Sequence, residues 1–147
     1  MKRSFFSLII LAALALVPMG SSAQCKGFVK KTGMPKLVPF LSNGQVNSSQ
    51  MRPGDNAELM LNFFSGQDYR IVVTGQPILG TVHFKVSDMA GNLLYNSKDH
   101  DDTDFWDFRV NNTQQLKVEV VVPAYSGDNQ IIPTGCVAVM IGFKTEK

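Results

Sequence analysis

The chain predicts an all-β protein: a single antiparallel β-sandwich of about seven or eight strands in a jelly-roll-like arrangement. Three observations predict it. From residue 57 onward apolar and polar residues alternate at period two through most of the sequence. Short Gly-, Asn- and Asp-rich turns separate these runs. After the first residues, no helical stripe of useful length occurs. With 147 residues in all, the chain suits one domain with its own core. It has no internal repeat, low-complexity tract or splitting linker.

Residues 1–23 read as a secretory signal peptide. Lys2 and Arg3 precede the uncharged run "FFSLIILAALALV" (Phe5 to Val17), Pro18 and Gly20 break it, and "SSA" ends it with small residues. The run is shorter than the roughly 20 residues that span a bilayer, so the mature protein, residues 24–147, is expected to have no transmembrane segment and to be periplasmic or secreted. A lipid anchor on Cys25 is not expected, because Ser22 and Gln24 stand where a lipobox wants an aliphatic and a small residue. The formal charge is +2, and Lys2 and Arg3 supply that excess. The mature chain is neutral overall, which argues against nucleic acid as a partner.

Cys25 and Cys136 are the two cysteines. An even count in an exported chain reads as a disulfide; the alternative is a pair of free or metal-bound thiols. The bridge would tie the segment 24–53, expected as a loosely ordered, proline-broken strap, to the last strand. Within that segment "KLVPFL" (Lys36 to Leu41) is expected as a short edge strand, where proline is tolerated, and "SNGQVNSSQ" as polar loop.

"RPGDN" marks a turn. In "AELMLNFF" one face is Ala57, Leu59, Leu61 and Phe63, and the other is Glu58, Met60, Asn62 and Phe64. "YRIVVT" points Tyr69, Ile71 and Val73 inward, and "TVHFKVS" Val82, Phe84 and Val86. "DMAGN" is a tight turn before "LLYNS". In "FWDFRV" the inner face is Trp106, Phe108 and Val110, so Trp106 belongs to the core. "LKVEVVV" buries Leu116, Val118, Val120 and Val122. After the long loop "PAYSGDNQIIPTG", "CVAVMIGF" buries Val137, Val139, Ile141 and Phe143.

The run "HFKVSDMAGNLLYNSKDHDDTDFWDF" followed by "TQQLKVEV" resembles the jelly-roll sandwiches of the pre-peptidase C-terminal and GOLD types, which share a strand, a D-x-x-G-N hairpin, a returning strand and an aromatic strand. With "AQCKGF" and "PTGCVAVMIGFK", the whole chain also resembles small exported proteins of the Bacteroidota. The resemblance implies the sandwich fold and an accessory, binding or interaction role, and brings no activity with it.

"SKDHDDTDFWDF" (Ser97 to Phe108) holds five aspartates, His100 and the only tryptophan. It falls between two strands. One reading is a solvated acidic loop facing the N-terminal lysines. Another is an irregular calcium site of Asp99, Asp101, Asp102 and Asp104, since calcium accepts flexible oxygen shells. An EF-hand is excluded, because Asp104 stands where its glycine belongs and Val110 where its final glutamate belongs. Zinc on His83 and His100 would lack partners. No cofactor other than calcium is suggested, and no nucleophile motif or P-loop occurs. A surface for a protein or polysaccharide partner is expected among Lys26, Lys30, Lys31, Lys36, Phe64, Phe105 and Tyr125. The functional expectation is thus a non-enzymatic exported binding module. The alternatives are a calcium-dependent accessory domain for carbohydrate or protein, and a small hydrolase working through the Asp101 and Asp102 carboxylates.

Overall fold

The structure, a computed structural model, describes residues 22–128 and 131–145. The expected signal peptide lies almost wholly outside them. The described chain opens with helix α1 (Ser22–Phe28), a π-helical turn (Val29–Gly33) and a 3-10 turn (Met34–Leu37). Eight strands come after it: β1 (Leu41–Met51), β2 (Asn56–Phe63), β3 (Gln67–Gly75), β4 (His83–Asp88), β5 (Leu93–Asn96), β6 (Phe105–Val110), β7 (Gln114–Val121) and β8 (Gly135–Thr145).

They form two antiparallel four-stranded sheets, ordered β1-β8-β3-β6 and β2-β7-β4-β5. This is a β-sandwich with the strand order of a jelly roll. The period-two phases place the core. Leu61, Phe63, Tyr69, Ile71, Val73, Phe84, Val86, Leu116, Val118, Val120, Val137, Val139 and Ile141 are all buried in one cluster between the sheets. Trp106, Phe84, Val118 and Val139 share that cluster, Trp106 as a partly buried member.

Turn chemistry sets the hairpins. Asp88 Oδ1 accepts from the backbone N–H groups of Ala90 and Asn92, both at 2.9 Å, and Oδ2 accepts from Asn92 Nδ2 at 2.8 Å. Gly91 supplies the left-handed residue, φ +88. An aspartate that caps its own turn in this way fixes the β4–β5 register locally.

The segment 24–53 differs from expectation. "KLVPFL" is no strand: it runs through the 3-10 turn and a cis Val38–Pro39 bond before β1 starts at Leu41. The polar stretch expected as loop is instead β1, eleven residues paired along β8. Alternation could not reveal it, because both its faces are mostly polar. The helical half of the segment lies on the outer face of the first sheet, where Val29 and Leu37 bury Val72, Ala138 and Met140 in a second, smaller cluster. Gly33 packs directly against the Met140 thioether in this layer. Strands β3 and β8 are therefore buried on both faces, as their nearly continuous apolar sequences allow.

The Cys25–Cys136 disulfide fixes this layer, with Cα atoms 5.5 Å apart, inside the usual disulfide range.

Candidate functional site

The two ends of the sandwich are unequal. At one end the connections are short: 64–66, 89–92 and 111–113. At the other end lie 52–55, 76–82, 97–104 and 122–134. The register puts these four together, since Val121 pairs with both Asn56 and His83, Asn96 with Lys85, Gly135 with Met51, and Val137 with Gly75. Cys136, and so the disulfide, lies at this end too. A rigid sandwich with long loops at one end is a common platform for recognition.

Residues 97–104 form a compact turn. Ser97 is buried and its Oγ accepts from the Phe84 backbone N–H at 3.0 Å. Asp101 and Asp102 both take left-handed backbone, φ 54. Asp102 N–H donates to the Ser97 carbonyl at 3.0 Å and Thr103 Oγ1 to that of His100 at 2.5 Å.

The aspartates do not converge on one point. Asp99 Oδ2 accepts from Asn96 Nδ2 at 2.9 Å. Asp102 Oδ1 lies 2.9 Å from His83 Nδ1, in an arrangement that makes no hydrogen bond. Asp104 takes Lys36 Nζ, and Asp107 takes Arg70. Among the described residues no three His, Cys, Asp or Glu side chains are gathered as metal ligands would be. His100 and His83 are not brought together either: His100 stacks on Tyr95, centroids 4.8 Å apart.

That stack continues. Tyr95 lies against Trp106 at 5.2 Å, and Trp106 against Phe108 at 4.2 Å. The column closes the sandwich between edge strands β5 and β6. Burial and the neighbouring Asp104 raise the Tyr95 phenol above its ordinary value, and its hydroxyl donates to the Phe105 carbonyl at 3.3 Å.

The residues expected to form one interaction surface are scattered. Lys26, Lys30 and Lys31 are exposed on the N-terminal layer, but Lys36 is engaged by Asp104 and by Thr74 Oγ1 at 3.3 Å. Phe105 is no free surface aromatic: Arg70 lies 4.3 Å over its ring. Phe64 is exposed at the short-turn end, and Tyr125 at the long-loop end.

Period-two phasing does not find the apolar residues of the long loops. Ile131 is 83% exposed, Ile132 58% and Ile78 61%. Ile78, with Pro53, Pro77, Pro123 and Tyr125, lines a hollow of about 380 Å³ among the loops of this end. The signal was the apolar pair in "NQIIPTG", set in an otherwise polar loop and followed by proline.

Among the described residues no helix is long and apolar enough to cross a membrane. No family model and no curated protein matches the chain. Among solved structures, the fold is similar to that of Aeromonas hydrophila PliG, a periplasmic inhibitor of g-type lysozyme. The identity is 10% and the TM-score 0.48, over 72% of this chain and 89% of that one. A likeness of that degree concerns the arrangement of strands and carries no functional argument.

Proposed function

We propose that this chain is an exported, non-enzymatic β-sandwich that binds another protein through its long-loop end. The observation that carries this reading is the exposure of Ile131, Ile132 and Ile78 on loops anchored beside the disulfide. Large apolar side chains presented together at one end of a rigid domain favour protein contact. A polysaccharide is less well served, because sugars stack on open aromatic faces. Trp106, Phe108 and Tyr95 stack on one another, Phe105 lies beneath Arg70, and Phe64 and Tyr125 sit at opposite ends. A hydrolase working through Asp101 and Asp102 is less well served, because both residues are exposed on their turn, where water screens their charges. The disulfide supports an oxidising compartment.

The test is a double variant, Ile131→Asp with Ile132→Asp. Exported-fraction proteins retained by the native domain are compared with those retained by the variant. A partner lost from the variant by about 30-fold or more, the size of a hot-spot effect, with an unchanged melting temperature, supports the reading. Identical retention by both proteins removes it.

A further inference from the structure

We propose that the cleft between β1 and β2 is a strand-acceptor site. It takes an extended, uncharged, apolar segment of a partner protein, which pairs with the edge of β1 turned away from β8 and sends alternate side chains between the sheets. Three separate observations lead there.

The first is the edge. β1 pairs with β8 on one side and, among the described strands, with none on the other. From Leu41 to Met51 it carries no charged residue and no proline. Exposed edges in soluble proteins are usually guarded by such residues, by bulges or by shortness. β1 has a bulge between Ser42 and Val46, with Gly44 in left-handed backbone, but Val46 to Met51 is regular. The other three edges are guarded: β6 by Asp107 and Arg109, β2 by Glu58, and β5 by its length of four residues.

The second is the space beside that edge. The β5–β6 side of the sandwich is closed by the aromatic column. On the β1–β2 side a crevice of about 350 Å³ opens, with Leu59, Val120, Val137 and Val139 among its apolar lining. Asn47 and Ser49 face into it, since they pair opposite Val139 and Val137, which belong to the core. An added strand alternates its side chains, so every second one would point towards this space.

The third is chemical. Asn47 Nδ2 is buried and has no hydrogen-bond partner. That atom is sealed from solvent, so what meets an occupant is the crevice's uncharged lining. No ionisable side chain lines the crevice, so a charged occupant would be desolvated without a counter-ion. An uncharged edge and an uncharged crevice together match a neutral peptide strand, the strand-addition mode of recognition.

The probe is a fluorescein-labelled, end-capped octapeptide of alternating valine and threonine, titrated into the full mature protein. Saturable binding is expected, with slowed hydrogen exchange confined to residues 46–51 and their neighbours. Ser49→Lys puts a charge into the crevice and should weaken binding about tenfold or more. Ala57→Phe, which fills the space without charge, should do the same, and the melting temperature of each variant reports that it is folded. The Ile131→Asp, Ile132→Asp protein should bind the octapeptide normally, which separates this site from the long-loop end. A version of the peptide N-methylated at every amide cannot donate hydrogen bonds to β1 from either edge. If it binds as well as the parent, the cleft takes neutral amphiphiles and not strands, and the proposal fails. It also fails if no peptide binds, or if the protein alone dimerises through residues 46–51, which would make a second copy the occupant.

Discussion

Arg70 and Asp107 face each other across β3 and β6 and are joined by two parallel hydrogen bonds, Nε to Oδ1 at 2.6 Å and Nη2 to Oδ2 at 2.7 Å. The same guanidinium donates from Nη1 to the carbonyls of Lys36 at 3.0 Å and Val38 at 2.9 Å, and lies over the rings of Phe105 and Phe40. One side chain thus clamps the end of the N-terminal layer to the first sheet. The hydrogen bonds from Arg70 to Asp107 are the main reason the guanidinium pKa is held above its ordinary value.

Arg70→Lys should therefore destabilise the protein even though the charge is kept. An ammonium cannot reproduce the planar fork and reach both carbonyls. The expected loss is about 1–2 kcal/mol, discounted for the partly solvated Asp107, measured by urea denaturation. Limited proteolysis should cut within residues 29–40 sooner than in the native protein. A loss below about 0.3 kcal/mol would show that the clamp contributes only surface electrostatics.

The disulfide acts on the same layer from its other end. Cys25 and Cys136 are 111 residues apart, and closing a loop of that size lowers the entropy of the unfolded chain by the equivalent of about 4–5 kcal/mol. Reduction should lower the melting temperature and open the N-terminal layer to protease before the sandwich unfolds. If reduction and denaturant expose both parts together, the layer and the sandwich are one cooperative unit.

Phe84 tests the core. It has no solvent exposure and packs on Tyr95, with centroids 5.1 Å apart. Phe84→Ala should cost about 3–5 kcal/mol in equilibrium unfolding. A cost under about 1 kcal/mol would be inconsistent with a fully packed position.

Asp88 gives a pH dependence of known sign. Its pKa is lowered from 3.8, chiefly by the Asn92 side chain and then by the Asn92 backbone N–H. A carboxyl depressed by folding contributes stability above its unfolded pKa and loses it as pH falls through the folded value. The β4–β5 turn should loosen only below about pH 4, seen as faster exchange of the Ala90 and Asn92 amides. Asp88→Asn should remove that pH dependence. A turn whose amides respond to acid equally in the variant would assign the effect to another group.

Legibility in the sequence depends on what holds each side chain in place. Leu116, Val118 and Val120 alternate with solvated residues, so β7 can be phased by inspection, and likewise β2 and β4. β1 cannot, because its pairing rests on backbone hydrogen bonds and its side chains are polar on both faces. Val72 and Met140 fall on the outward face by alternation and are buried there by Val29 and Leu37, a contact only the folded chain creates. The aspartates are legible as a cluster in sequence, but their partners Lys36, His83 and Arg70 come from other elements. Ile131 and Ile132 carry a local signal, since apolar residues in a turn-rich loop have no core to explain them.

Strand β8 links two opposite poles. Gly135, next to the disulfide, stands with the long loops, while Thr145 pairs with Gln67 beside the short turns. Eleven extended residues set these points about 35 Å apart. A tether placed after Thr145 would therefore present the isoleucine loops outward from a surface. One placed ahead of Cys25 would turn them towards it, so the two attachments of one domain should differ in what they capture.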